Sequence, residues 1–363
     1  MRSLATLALL VTVPACGKMS SSMEAVANPP GFDAQGFALT VIGTAADGLS
    51  QPTGLAFAPD HPDELWVVNR ATDGVVIFHD PGTPQQRAEP RVDAYAQHFM
   101  ANVSSISFGT DNHFGTCQDS RDEWNDHPQA ADDYMGPTLW DATLSVFAEV
   151  GQAYPKATGA LEGSHIDMLH ESPLCMGIAH DHDNVFWAFD GLNGHVVRYD
   201  FVKDHGPGGA SHSDGKVRRY PEAMVHRRDG VVSQLAFDAK SQMLYVADTA
   251  ADRIMRLDTT SGSVGPVTLP KQMEALAEYA QVTGVDWQPV VPDVSTPSGL
   301  VLSDERMYVF SGACGQIVSY DRSGTELARM AVGSLGVSGM TIGPDGKIWF
   351  ADELTNTVTR VDP

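Results

Sequence analysis

A short unit of three predicted β-strands recurs along this chain, and the repeat constrains the fold more than any other feature. One copy, LCMGIAHDHDNVFWAFDGLNGHVVRYD at residues 174–200, alternates apolar stretches with turn residues. Four further copies start with GLAF, QLAF, GLVL and GMTI, at Gly54, Gln234, Gly299 and Gly339. A single small sheet cannot bury both of its faces, so the units are expected to stack against one another.

A sixth, irregular copy is inferred between the copy that starts at Gly54 and the copy that starts at residue 174. Its inner strands are predicted at Val103–Phe108 and His113–Cys117, and Leu144–Val150 is predicted to restore a strand after a polar insertion. The lone strand Phe37–Gly43 precedes the first full copy, where a strand usually completes the last blade of a closed propeller. The sequence therefore predicts an all-β, six-bladed β-propeller of four-stranded blades.

Two of the copies carry a family resemblance. PTGLAFAPDHPDELWVVNRATDGVVIF and QLAFDAKSQMLYVADTAADRIMRLD resemble NHL-type repeats, and the region from Phe37 to Asp362 is similar to six-bladed propellers of the NHL, gluconolactonase and amidating-lyase group. The resemblance implies the fold but no single activity, because the group includes lactonases, phosphotriesterases, a zinc-dependent lyase for hydroxyglycine peptides and binding propellers. Related lyases hold zinc on one histidine from each of several blades. The matching positions here carry no histidine: Ser104, Gln234, Ser298 and Ser338.

The composition excludes several classes of partner. The formal net charge is −23, and a surface of that charge repels nucleic acid, so no nucleic-acid partner is expected. Cations are the favoured ligands of such a surface. The sequence contains no phosphate-binding glycine loop and no dinucleotide fingerprint, so no nucleotide cofactor is expected either. We expect the protein to act as a monomer.

The N-terminal residues have the features of a bacterial export signal. A positive residue, Arg2, precedes the apolar run Leu4–Val13, which is too short to span a bilayer. The following residues resemble a lipoprotein cleavage box with Cys16 as the lipidated residue, although an ordinary signal peptidase could instead cut after Ala15. The sequence thus predicts a signal peptide at 1–16, a flexible tether at 17–36 and one propeller domain at 37–363, anchored in the periplasm or at the outer membrane.

Propeller geometry assigns each connection to a face. If the inner strands run from the top face to the bottom, the connections Gln118–Leu139 and Gly151–Pro173 lie at the top, together with a short amphipathic helix predicted at Pro270–Val282. These segments would partly cover the mouth of the central channel. Cys117 and Cys175 would also meet at the top, either as a disulfide between neighbouring blades or as two separate buried thiols.

A candidate metal site is expected at the top of blade three. The segment GSHIDMLHE contains His165, Asp167 and His170. Two imidazoles with a carboxylate suit Zn²⁺, Cu²⁺ or Fe²⁺, and Asp167 would act as a base beside the metal. The alternative is a polar loop whose histidines are solvated.

Asp190 is a further candidate ligand, because it belongs to a set of equivalent positions at the ends of second strands. Such a ring of oxygen ligands suits Ca²⁺, but each side chain could instead cap its own turn. Arg70 follows Asn69, the first position of this set, and is a candidate to bind a substrate anion or to form an ordinary ion pair. The ring positions are Asn69, Asp190, Asp248, Ser311 and Asp352.

A second candidate metal site is expected at the bottom of blade three. Its histidines and aspartates lie on two neighbouring turns of that blade, where they could hold a structural ion or form a flexible surface loop. These residues are His180, His182, Asp204, His205, His212 and Asp214.

Two functions are compatible with the sequence. The first is an exported propeller that binds a small ligand, peptide or glycan at the top mouth of its channel. The second is a metal-dependent hydrolase or lyase that attacks an ester, lactone or hydroxyglycine-like centre, with His165 and His170 as metal ligands.

Overall fold

The computed structural model describes residues 37–121, 131–153, 156–209, 211–268 and 270–362. The predicted signal peptide, the tether and the lipidation site Cys16 lie outside these residues. Within the described ranges, no helix is long and apolar enough to cross a membrane.

Six sheets are arranged in a ring, which confirms the predicted six-bladed, all-β propeller. The first strand is β1 (Ala38–Gly43). Blade one contains β2 (Pro52–Phe57), β3 (Glu64–Asn69), β4 (Gly74–His79) and β5 (Arg87–Arg91). After the short helix α1 (Ala96–Phe99), blade two contains β6 (Val103–Phe108), β7 (His113–Gln118), β8 (Thr138–Asp141) and β9 (His165–Met168).

The remaining blades follow in chain order. Blade three contains β10 (Ile178–His182), β11 (Val185–Asp190), β12 (His195–Asp200) and β13 (Lys216–Met224). Blade four begins with β14 (Leu235–Asp238), β15 (Met243–Asp248) and β16 (Arg253–Asp258). The chain then adds β17 (Ser263–Pro266) and β18 (Glu278–Thr283) to the outer edge of blade three, and returns to complete blade four with β19 (Asp286–Val291).

Blade six is closed by the strand from the start of the chain. Blade five contains β20 (Pro297–Leu302), β21 (Arg306–Ser311), β22 (Gln316–Asp321) and β23 (Glu326–Ala331), and blade six contains β24 (Val337–Ile342), β25 (Ile348–Asp352) and β26 (Thr357–Asp362). Strand β1 pairs antiparallel with β26, with Ala38 opposite Asp362. The ring is therefore sealed by the predicted lone strand, which removes the exposed edge of an open sheet.

The core is divided into separate apolar clusters, one between each pair of neighbouring blades. Trp66 of blade one and Trp140 of blade two share a cluster, and Trp187 of blade three packs with Leu235 of blade four. The cluster between blades six and one contains Trp349. Each blade buries one face against each neighbour, so the chain needs no single large core.

Glycine opens several copies of the repeat because the inner strands crowd together around the channel. A Cβ atom added at Gly339 would lie 2.8 Å from the Cα atom of Gly54 in the neighbouring blade. A Cβ atom at Gly54 would in turn lie 3.1 Å from the Cα atom of Ser105. These contacts are with backbone, which cannot rotate away as a flexible side chain can.

We expect the Gly339→Ala variant to be less stable than the wild type by about 1–3 kcal/mol, because the added methyl group overpacks this contact. Urea-induced unfolding measures the difference. Gly265→Ala is the matched control, since an added Cβ at Gly265 meets no atom within 4 Å. Equal stability of the two variants would show that the inner strands have room to move apart.

The third strand of blade two differs from its prediction. Residues 144–149 form a series of turns, and the strand is instead β8, which ends at Asp141, before the predicted strand begins. Phe147 projects from these turns into the cluster around Trp66, with a ring–ring distance of 5.3 Å. The apolar residues that suggested a strand are therefore buried by a compact turn.

The helix predicted at Pro270–Val282 is also wrong in position. Its C-terminal half is strand β18, which pairs in parallel with β13 and buries Ala280 and Val282. Burial of alternate residues is the period of a strand, and the edge of blade three supplies hydrogen-bond partners that a sequence pattern cannot reveal. The α-helix in the described residues is α1, which precedes blade two.

A disulfide joins Cys117 to Cys175, which is the first of the two alternatives that the sequence left open, with 5.1 Å between their Cα atoms. Cys117 lies near the end of β7 in blade two, and Cys175 precedes β10 in blade three. Both residues are fully buried in the cluster between these blades. The crosslink therefore fixes the top of blade two against the top of blade three.

Candidate metal centre between blades two and three

Four separate segments bring histidines and carboxylates together at the outer edge of blades two and three. Outer strand β9 of blade two carries Asp167, and His170 follows it. The loop between β12 and β13 of blade three carries His205, His212 and Asp214. Glu274 comes from the connection between β17 and β18, and His98 comes from α1. We call this set the rim cluster.

Asp167 links the two blades within the rim cluster. Its Oδ1 atom lies 2.6 Å from Nδ1 of His212, and its Oδ2 atom lies 3.9 Å from Nε2 of His205. The same Nε2 atom of His205 lies 2.7 Å from Oδ1 of Asp214. The loop of blade three thus folds across the outer strand of blade two, where Gly208 also donates its backbone N–H to the carbonyl of His165.

Both ring nitrogens and the ring face of His170 have contacts within the structure. Its Nδ1 atom lies 3.2 Å from Oε1 of Glu274, and its backbone N–H donates to the same oxygen. Its Nε2 atom lies 3.2 Å from Nε2 of His98, and the ring of Tyr134 stacks on it at 3.8 Å. A metal-binding histidine typically has its second ring nitrogen fixed by a hydrogen bond, and His98 occupies that position.

Burial sets the charge state of these groups. It lowers the pKa of His98 to about 2 and that of His165 to about 3, so both imidazoles are neutral at pH 7. Burial also lowers the pKa of His170, and neutral imidazole is the form that binds metals. Burial also raises the pKa of Asp167, although the contact with His212 acts in the opposite direction. Burial disfavours the charged form of His212 as well, but the contact with Asp167 outweighs it and raises the pKa of that imidazole.

Two groups of side chains have the geometry of a metal site. His170, His212 and Glu274 form one group, and Asp167, His205 and Asp214 form the other; within each group the ligand atoms lie within 4.8 Å of one another. Two imidazoles and one glutamate are a ligand set of catalytic zinc, which leaves a fourth position for water. The side chain of His170 is only 4 % exposed and that of His212 is 14 % exposed, so the group is reached from the His212 side.

The structure separates the residues of the first predicted site. Asp167 and His170 belong to the rim cluster, but His165 lies in neither metal group of the described residues. Its Nδ1 atom lies 2.8 Å from the carbonyl oxygen of Glu162, and its ring stacks on Phe99 at 3.6 Å. His165 therefore packs the cluster against α1.

Asp190 and Arg70 have structural partners away from the rim cluster. Asp190 accepts the backbone N–H groups of its own turn and lies 2.7 Å from the buried guanidinium of Arg219. Arg70 pairs with the carboxylate of Asp119, which also contacts Arg227. Asp352 likewise caps its turn through Leu354. The contacts match the capping alternative and not a ring of calcium ligands.

The second predicted site is divided as well. The expectation that it lies at the opposite end of blade three from His170 is wrong for His205, His212 and Asp214, which join His170 in the rim cluster. The other three residues stay apart: His180 contacts the carbonyl of Asp183, His182 contacts Asp181, and Asp204 lies 3.7 Å from His113.

Described residues of the segments expected to cover the channel mouth lie instead against the rim cluster. Glu171 accepts the backbone N–H groups of Met273 and Glu274, and Ala277 donates to the carbonyl of Gly215. His98 and Glu274 are the two cluster residues that the sequence did not indicate. They lie 72 and 104 residues from their partner His170, so no local spacing could reveal them.

Comparison with known proteins gives similarity of fold. No protein-family model matches the chain, and neither does any curated protein. Solved structures do match over 90% of the chain. An auxiliary nutrient binding protein from Bacteroides ovatus is 10% identical, with a TM-score of 0.57 over 76% of its own length.

Two further solved structures are similar over nearly their whole length. A luciferin-regenerating enzyme is 11% identical, with a TM-score of 0.51 and 96% of its chain covered. The calcium-binding protein regucalcin from Agrobacterium tumefaciens is 14% identical, with a TM-score of 0.50 and 93% covered. At these identities the likeness establishes that the chain shares their propeller architecture and nothing narrower.

Proposed function

We propose that this chain is a metal-dependent hydrolase or lyase whose metal is held by His170, His212 and Glu274. The observation that carries the proposal is the ligand set: two imidazoles and one carboxylate that converge from two blades and an inserted segment. Three protein ligands would leave one position for water or substrate, as in catalytic rather than structural zinc sites. We therefore expect Zn²⁺ or a similar divalent ion.

The bound metal would act as a Lewis acid or lower the pKa of a water molecule, for attack on an ester, lactone or hydroxyglycine-like centre. The chain's own residues would prepare the site. His98 holds the second nitrogen of His170, and Tyr134 covers its ring. Asp167, 2.6 Å from Nδ1 of His212, fixes the orientation of that imidazole.

A pocket beside the rim cluster supports a small, polar substrate. It is lined by Glu171, which follows His170, and by Met273, which precedes Glu274. Arg219 and Lys271 also line it, and Asp132 and Asp133 complete the charged lining. The three ligands do not line this pocket, but residues next in sequence to His170 and Glu274 do, and we propose it as the substrate site on that ground.

The direct test is to assay the purified mature protein, with zinc or after chelation, against esters, lactones and hydroxyglycine peptides. We expect turnover that disappears on chelation and returns with zinc. The His182→Ala variant should retain it, because His182 is 56 % exposed and outside the rim cluster. Turnover that persists in metal-free protein, or none from zinc-loaded protein, would contradict the proposal.

Ligand binding at the top of the channel is the second candidate function. A pocket there is lined by Arg228, Thr296, Ser298, Ser338 and Glu353, which offer both charges and hydroxyl groups. Such a lining suits a peptide, a glycan or another small ligand. Calorimetry with peptide and oligosaccharide libraries tests it, and an Arg228→Ala variant should weaken any binding whereas His170→Ala should not.

We also propose that the protein is exported and anchored through a lipid on Cys16, as the cleavage box at its N-terminus suggests. Mass spectrometry of the protein from a bacterial envelope fraction tests this. A diacylglyceryl adduct on Cys16, lost in Cys16→Ser, would support the anchor, and a mature chain that starts at unmodified Cys16 would contradict it.

A further inference from the structure

We infer that the rim cluster is a two-metal centre, in which Asp167, His205 and Asp214 hold a second divalent ion beside the one held by His170, His212 and Glu274. The inference rests on the proposed function, because the second ion completes the same site. Its basis is the second convergent ligand group, together with carboxylate oxygens that lack partners.

The unpartnered oxygens indicate where the second ion lies. Among the described residues, Oδ2 of Asp167 and Oδ2 of Asp214 are buried and have no hydrogen-bond partner. The side chain of Asp167 is 0 % exposed, so water cannot replace the missing donor from outside. A buried carboxylate oxygen without a donor is costly, and a cation between the two aspartates would satisfy both oxygens.

Asp167 is placed to serve both ions. Its Oδ1 atom contacts His212, a ligand of the first group, while its Oδ2 atom lies 3.9 Å from His205, a ligand of the second. Two-metal sites hold their ions about 3.5–4 Å apart. Asp167 would therefore connect the two groups: its Oδ2 atom would bind the second ion while its Oδ1 atom holds His212, a ligand of the first.

The charge of the cluster also favours two ions. The two groups contain three carboxylates, Asp167, Asp214 and Glu274, and within the described part of the chain the ion-pair partners of all three are histidines, with no lysine or arginine. A single dication would leave a net negative charge in a largely buried site. Two dications would balance the three carboxylates with one positive charge to spare for a hydroxide or an anionic ligand.

Metal stoichiometry tests the inference. The full mature chain, stripped with chelator, is titrated with Zn²⁺ by calorimetry and then measured by elemental analysis after gel filtration. We expect two zinc ions per wild-type chain and one in His205→Ala and Asp214→Asn. We expect Asp167→Asn to lose the second ion and to bind the first at least tenfold more weakly. Asp204→Asn is the matched control on the same loop and should keep both ions.

The outcomes separate the two proposals. One ion per wild-type chain, unchanged in Asp214→Asn, would overturn the two-metal inference and leave the single site intact, with Asp167 only orienting His212. No bound zinc would overturn both. Cobalt substitution gives a readout independent of activity: the visible absorption of the cobalt-loaded protein should saturate at two ions per wild-type chain and at one ion in Asp214→Asn. Circular dichroism of each variant shows whether it is folded.

Discussion

The His170→Ala variant is expected to lose the stabilisation that zinc gives to the wild-type protein. A ligand that binds only the folded state stabilises it by about 4 kcal/mol at a concentration one thousand times its Kd. His170 contributes one of three ligands and contacts Glu274 and His98, so its removal should lower zinc affinity by several orders of magnitude. Thermal unfolding with and without zinc measures the difference.

The quantity to compare between variants is the rise in melting temperature that zinc causes, and not the melting temperature itself. Removal of His170 also takes away the stacking with Tyr134 and leaves a small cavity, which destabilises the metal-free protein as well. His182→Ala is the control, because it removes an imidazole from the same blade outside the rim cluster. An equal response to zinc in both variants would place the metal elsewhere.

The Cys117→Ala, Cys175→Ala double variant is expected to lose about 4 kcal/mol of unfolding free energy. The disulfide closes a loop between residues 58 apart in sequence, and the loss of such a loop restores entropy to the unfolded chain. Alanine is preferred to serine because both positions are fully buried, and a serine hydroxyl there would be removed from water at a cost in free energy. Urea-induced unfolding measures the change.

A change of less than about 1 kcal/mol would mean that the packing between blades two and three fixes these segments without the crosslink. The zinc affinity of the same variant tests whether the disulfide also positions the metal site. Cys175 lies only a few residues from His170, so loss of the disulfide should weaken zinc binding if the crosslink holds the ligand in place. Gly265→Ala, at a position where an added Cβ meets no atom within 4 Å, should change neither quantity.

The propeller could be predicted because its information is local. Each copy of the repeat carries its own apolar strands and turn residues, as in GLAF at Gly54 and GMTI at Gly339, and stacking follows from the need to bury two faces. The same reasoning placed Cys117 and Cys175 near each other, since the repeat fixes which ends of neighbouring strands meet, but it left open whether they form the disulfide that the structure contains. Even the closing strand β1 was identifiable as a strand without a blade of its own.

The rim cluster could not be predicted as one site, because its parts lie in irregular connections that carry no repeat. The sequence indicated Asp167 and His170 as candidates, and His205, His212 and Asp214 as others, but assigned the two sets to opposite ends of a blade. The tertiary structure folds the loop after β12 back over the outer strand of blade two and joins them.

The repeat in the sequence by itself determined the architecture, since short-range periodicity dictates which strands form and how blades stack. The tertiary structure alone decided the site. Glu274 reaches His170 only because β18 pairs in parallel with β13, and His98 reaches it only because α1 packs against blade two. Contacts across 72 and 104 residues depend on how long connections fold back, and the residue spacing within the chain does not encode that path.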